Sequence, residues 1–221
     1  MSDSKPYNPL DKGNLGASVA EALLGRRVHS LGELRRFEGA GIYAIYYTGS
    51  FAAYSAIAKR NLENRFEAPI YVGKAIPKGG RKGGKQSEGA SGALFSRLGD
   101  HRDSVLAASN LSLDDFHCRF LVVDDIWIPL GESLLIAKFS PIWNTLVDGF
   151  GNHDPGKGRY EGMRPRWDVI HPGRDWAERC KPRPETKEQI LGDIKTYLRT
   201  TAPPKSPHFL AEQTRAEYKI D

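Results

Sequence analysis

The chain has 221 residues, a net charge of +5 and a pI near 9.1. That length suits one core with extensions, and the surplus of cations suits an anionic partner. No apolar run approaches the roughly 20 residues that cross a bilayer, Met1-Ser2-Asp3-Ser4 has no secretory h-region, and Cys118 and Cys180 fit no metal or redox spacing, so a cytoplasmic protein with reduced thiols and no membrane partner is expected.

Residues 1–38 read as an arm. Asn14 can cap a helix through Val19, Leu23 and Leu24 to Gly25, and Ser30 can cap a second through Leu34 and Phe37. Neither helix can bury its apolar face alone, so packing on the core or on a second subunit is expected. The core, 39–150, opens with a strand over Gly41–Tyr47, continues as a helix around Ala52–Glu63 and returns as a strand over Pro69–Gly73. Gly41-Ile42-Tyr43 and Tyr71-Val72-Gly73 each set an aromatic hydroxyl beside a glycine. Tyrosine is a good strand former, so Tyr43, Tyr46, Tyr47 and Tyr71 taken singly could simply cover a sheet.

The loop 74–92 is rich in glycine and carries Lys74, Lys78, Arg81, Lys82 and Lys85, with no acidic residue between Lys74 and Lys85. Gly79 to Gln86 nearly matches the phosphate-loop pattern GxxxxGK[ST]. Gln86 stands where magnesium needs a hydroxyl, and no helix opens there, so a DNA backbone suits the loop better than a nucleotide.

A helix over about Gly92–Ala108 follows, with Leu94, Leu98, Val105 and Leu106 as its apolar stripe and Arg97 and His101, four apart, on one face. Phe116–Val123 reads as a strand buried on both faces. Pro129 opens a helix to about Phe139, with Glu132 in its first turn, where the helix dipole alone would favour a carboxylate. Pro141 ends it and Asn144 comes next. Residues 151–221 form an extension rich in Gly, Pro, Arg and aromatics, with a helix from about Glu185 to Thr200. His153 and Asp154 could pair on a metal, but an Asp-Pro-Gly turn explains Asp154 more simply.

The two tyrosine motifs, the helical Arg97, Glu132 and the later Asn144 resemble the GIY-YIG nuclease superfamily, with Val72 in place of the usual Ile. His101, the basic insertion and the segment from Asn152-His153-Asp154-Pro155-Gly156 to Arg174-Asp175-Trp176 look like the type II restriction endonucleases of that superfamily that cut CCGCGG. The resemblance implies an α+β fold: a small, mainly antiparallel three-stranded sheet flanked by helices. It implies Tyr43 as base with His101 or Lys74 assisting, Tyr71 positioning water or phosphate, and Arg97 on the phosphate. Glu132 would hold one Mg2+ or Mn2+, and Asn144 would hold the network in register. A palindrome implies a homodimer on double-stranded DNA, and a host with such an enzyme needs a cognate methyltransferase. Guanines suit Arg or Lys, so Arg159, Arg164, Arg166 and Arg174, with Lys74, Arg81, Lys82 and Lys85, are the DNA-binding candidates. The alternatives are a repair or homing nuclease of the superfamily and a catalytically silent DNA-binding module.

Overall fold

A computed structural model describes residues 8, 10–77, 92–154, 156 and 160–200. Arg81, Lys82, Lys85 and Arg159 lie outside the described residues, as does the phosphate-loop-like stretch. In chain order the elements are α1 (Lys12–Leu24), β1 (His29–Ser30), β2 (Gly41–Tyr47), α2 (Ser55–Asn61), β3 (Pro69–Ala75), α3 (Ala93–Ala107), β4 (Phe116–Val122), α4 (Ile128–Phe139), α5 (Ile142–Thr145), α6 (Arg166–Ile170), α7 (Asp175–Glu178) and α8 (Lys187–Thr200). The architecture is α+β. One antiparallel sheet runs β1-β4-β2-β3, four strands where the sequence suggests three.

The central strand β2 is buried along its whole length, and its period of two sorts its side chains onto two layers. Ile42, Ala44 and Tyr46 face a layer with Ala20 and Leu23 of α1 and Ile128 and Leu135 of α4. Tyr43, Ile45 and Tyr47 face the larger layer, with Leu94, Leu98 and Val105 of α3, Trp143 of α5, Trp167 of α6, and Ile190 and Ile194 of α8. Such a strand must be apolar throughout.

Three expectations are corrected. Asp11, whose carboxylate accepts from Gly13 N at 2.8 Å, caps α1, while Asn14 donates to the Asn8 carbonyl at 2.6 Å. Ser30 starts no helix: His29 and Ser30 pair with Cys118 and His117, and Phe37 stacks on Phe120 with centroids 4.1 Å apart. The β4 edge takes this backbone, and tertiary pairing overrides the capping signal. β4 itself is not buried on both faces, since Val122 is 51% exposed.

Two histidines lie deep in the larger layer. His171 Nδ1 donates to Asn110 Oδ1 at 2.9 Å, and its Nε2 accepts from the Tyr54 hydroxyl at 2.9 Å. That hydroxyl in turn accepts from Trp143 Nε1 at 2.9 Å. Burial lowers the His171 pKa to about 3. His101 is pushed well below 6.5, first by burial and then by Arg97, His153 and Arg174. A pKa lowered on folding gives stability that is full above the unfolded value and is lost as the pH falls, because the unfolded chain takes up the proton. Unfolding free energy from urea titrations should therefore drop between pH 6.5 and 5, by up to about 1.4 kcal/mol per pH unit per histidine. His171→Gln should flatten that slope by about one proton; an unchanged slope would contradict the buried neutral imidazole.

Candidate active site

Tyr43 sits mid-strand in β2 with no exposed surface, and its hydroxyl lies 2.7 Å from His101 Nε2. In the Nδ1–H tautomer of the neutral His101, the hydroxyl donates and Nε2 accepts. The second tyrosine motif makes room for this bond: Gly73 stands opposite Tyr43 across the β2–β3 ladder, and a Cβ there would fall 2.3 Å from the Tyr43 hydroxyl. At Gly41 a Cβ would meet the Leu121 carbonyl at 2.0 Å, so the glycine lets β2 approach β4.

Tyr71 closes the group, its ring 6.3 Å from Tyr43 and 5.1 Å from His101. Burial raises both tyrosine pKa values, Tyr43 well above 10, and the charge and hydrogen bonding of Arg97 oppose the rise. Arg97 and His101 come to the tyrosines together because the buried Leu94, Leu98 and Val105 of α3 turn that face to the sheet. On its other side Arg97 donates to the Gly151 carbonyl at 2.8 Å, contacts the His153 imidazole, and lies 3.8 Å from Asp100.

β3 ends the sheet, and its outward backbone is taken up by Asn144. The side-chain oxygen accepts from Val72 N at 2.8 Å, and the amide donates to Val72 O at 2.7 Å. The residue between Tyr71 and Gly73 is thereby fixed from α5, an edge paired rather than left open. Glu132 stands beyond the first turn of α4, so the helix dipole does not account for it. Its carboxylate meets Lys74 Nζ at 2.6 Å and acts electrostatically on both Tyr43 and Tyr71.

The arginines of the extension behave differently from the expectation. Arg174 is 5% exposed, so it is no surface base reader. Its guanidinium binds both Asp168 oxygens, at 2.7 and 2.6 Å, and the carbonyls of Gly149, Phe150 and Asn152, and it lies over the rings of Trp167 and Trp176. Arg164 bonds the Ala177 and Glu178 carbonyls and the Glu178 carboxylate, and Arg166 pairs with Glu185 and Asp193. Both are half-buried and hold the extension together. His153 touches Arg97, and its place in the Asn-His-Asp-Pro-Gly segment is the sequence signal for that contact.

Among the described residues no group of three or more His, Cys, Asp or Glu side chains is arranged to hold a metal. Glu132 offers one carboxylate, which suits a hard cation that keeps water or phosphate oxygens in its other positions. Lys74 already neutralises that carboxylate and would compete with the cation. Removing one such charge is worth about 1 kcal/mol in a water-like dielectric. Lys74→Met should therefore tighten Mn2+ binding, read by electron paramagnetic resonance, by about fivefold; equal or weaker binding would show that the ammonium does not compete.

Residues 35–198 match the family described as the Eco29kI GIY-YIG domain. No curated protein matches the chain. Eco29kI is a restriction endonuclease that cuts CCGCGG, and GIY-YIG nucleases generally use a divalent metal. The matched span takes in β2, β3, α3, α4 and α5, and with them every residue gathered around Tyr43. The chain belongs to the Eco29kI GIY-YIG domain family of restriction endonucleases.

Proposed function

We propose that this chain is a type II restriction endonuclease that cuts CCGCGG in double-stranded DNA, acting as a homodimer with one Mg2+ or Mn2+ per active site. The observation that carries the reading is the bond from Tyr43 to a histidine held neutral, beside Arg97, in a domain of this family.

Buried tyrosine with a raised pKa is a poor base by itself. His101 resolves this. Tyr43 gives its proton to His101 Nε2 as its oxygen accepts a proton from the attacking water, so no free tyrosinate is needed, and the negative charge of a bound phosphate would offset the burial that otherwise keeps the imidazole neutral. The water oxygen bonds to phosphorus as the bond to the leaving oxygen breaks. Arg97, partly exposed beside both hydroxyls, donates to the phosphate oxygens that gain charge. Tyr71 holds the water or the phosphate, and Asn144 holds β3 in place. Glu132 would hold the cation, which supplies positive charge at the phosphate and the leaving oxygen.

Lys74, Lys82 and Lys85 would follow the DNA backbone, and Arg81 and Arg159 remain candidates for guanine edges. Arg164 and Arg166 would have to leave carboxylate partners to do so. A two-fold dimer gives each strand of the palindrome one site. The host then needs a methyltransferase that protects the same sequence.

Glu132→Gln and Arg97→Ala should each slow plasmid cleavage in magnesium by a hundredfold or more, roughly the cost of removing one preorganised electrostatic group. DNA affinity by gel shift should stay within a few-fold of wild type. Cleavage at the wild-type rate by either variant would sink the assignment of that residue.

A further inference from the structure

The wall of the site opposite the sheet is the segment Gly149–His153, and it is held from behind. Arg174, fixed by Asp168, donates to the carbonyls of Gly149 at 2.9 Å, Phe150 at 3.3 Å and Asn152 at 3.1 Å. The Gly151 carbonyl, which Arg174 leaves free, accepts from Arg97 at 2.8 Å. Between these points the Phe150 ring lies flat on His101, with centroids 4.6 Å apart and planes at 15°. It also meets Tyr71 edge-on at 5.2 Å and is walled in by Trp143 and Trp167.

We propose that Phe150 and Gly151 are positioning residues of the cleavage reaction: the Phe150 ring sets the plane of His101, and the Gly151 carbonyl sets the guanidinium of Arg97. The inference rests on the nuclease reading of the Tyr43 site and adds to it a pair of residues with no reactive group. Each controls one catalytic partner by direct contact. His101 has one ring face on Phe150, and its Nε2 is spent on Tyr43, so tilting the ring lengthens the bond through which the proton leaves the tyrosine. Arg97 has its reach toward the phosphate fixed from the Gly151 side.

Glycine at 151 is required by space. A Cβ there would come to 2.6 Å from the Tyr71 hydroxyl and 3.1 Å from Arg97 Nη2. Both neighbours are side-chain atoms of the site, so Gly151→Ala displaces Tyr71 and Arg97 themselves. Misplacement of a reacting group by about 1 Å can cost up to a hundredfold in rate.

The test compares Gly151→Ala, Phe150→Leu and Phe150→Tyr in the full chain. With saturating enzyme, Mg2+ and a duplex containing CCGCGG, the single-turnover rate should fall by tenfold to a hundredfold in the first two. It should recover in Phe150→Tyr, which keeps the ring. Duplex affinity of Gly151→Ala should stay within a few-fold of wild type, a split between rate and affinity that a merely structural role would not give. Nuclear magnetic resonance of the free proteins supplies a readout that needs no cleavage. The Arg97 Nε–H resonance should move in Gly151→Ala. The His101 pKa should rise in Phe150→Leu, while Tyr43, Tyr71, Arg97, His153 and Arg174, the titratable and charged groups around that ring, stay the same. If the wild type itself leaves the duplex intact, the nuclease reading falls and takes the catalytic part of the inference with it, while the resonance data still decide whether Phe150 and Gly151 set the His101 and Arg97 side chains. Wild-type rates in Gly151→Ala, or an unmoved Arg97 resonance, overturn it.

Discussion

The hydrogen bond between the Tyr43 hydroxyl and His101 Nε2 is the constraint around which the molecule is arranged. It joins the central strand to α3 through two buried polar groups, and two such groups are tolerated in a core only when they satisfy each other. Meeting that condition requires Gly73 opposite the hydroxyl and the Leu94–Leu98–Val105 stripe pressed on the sheet. The same burial keeps the histidine unprotonated. Packing and chemistry are therefore one requirement here: an environment that admitted water to His101 would give up both the neutral acceptor and the core.

Around this bond the site gathers at the end of the sheet. Tyr71 and Lys74 come from β3, the last strand, which α4 and α5 hold through Glu132 and Asn144. An open strand edge tends toward unwanted pairing, and a helix-borne amide that reads one residue's N–H and carbonyl removes part of that edge. Arg97 and Lys74 bring two positive charges to the site, and each already faces a carboxylate, Asp100 at 3.8 Å and Glu132 at 2.6 Å, so a phosphate and a cation would each draw on one half of an existing ion pair.

The parts that the residues alone disclosed are those set by local rules. The all-apolar Gly41–Tyr47 run, the Pro129 helix start and the four-residue spacing of Arg97 and His101 each follow from period or backbone stereochemistry, and the structure places them as expected. What local rules could not supply was partner choice. Ser30 has a good capping side chain, yet the free edge of β4 takes its backbone. Arg174 has the chemistry of a guanine reader, but Asp168 and three carbonyls already use its donors. Phe150 and Gly151 carry no functional group, so nothing in their composition marks them as neighbours of His101 and Arg97; only the fold of the 149–153 segment does.

The most direct measurement of the central claim is to incubate the protein with plasmid DNA and magnesium and to sequence the ends of the fragments. Discrete ends inside CCGCGG on both strands are the predicted result. Intact plasmid despite DNA binding, or ends scattered without regard to sequence, would contradict it.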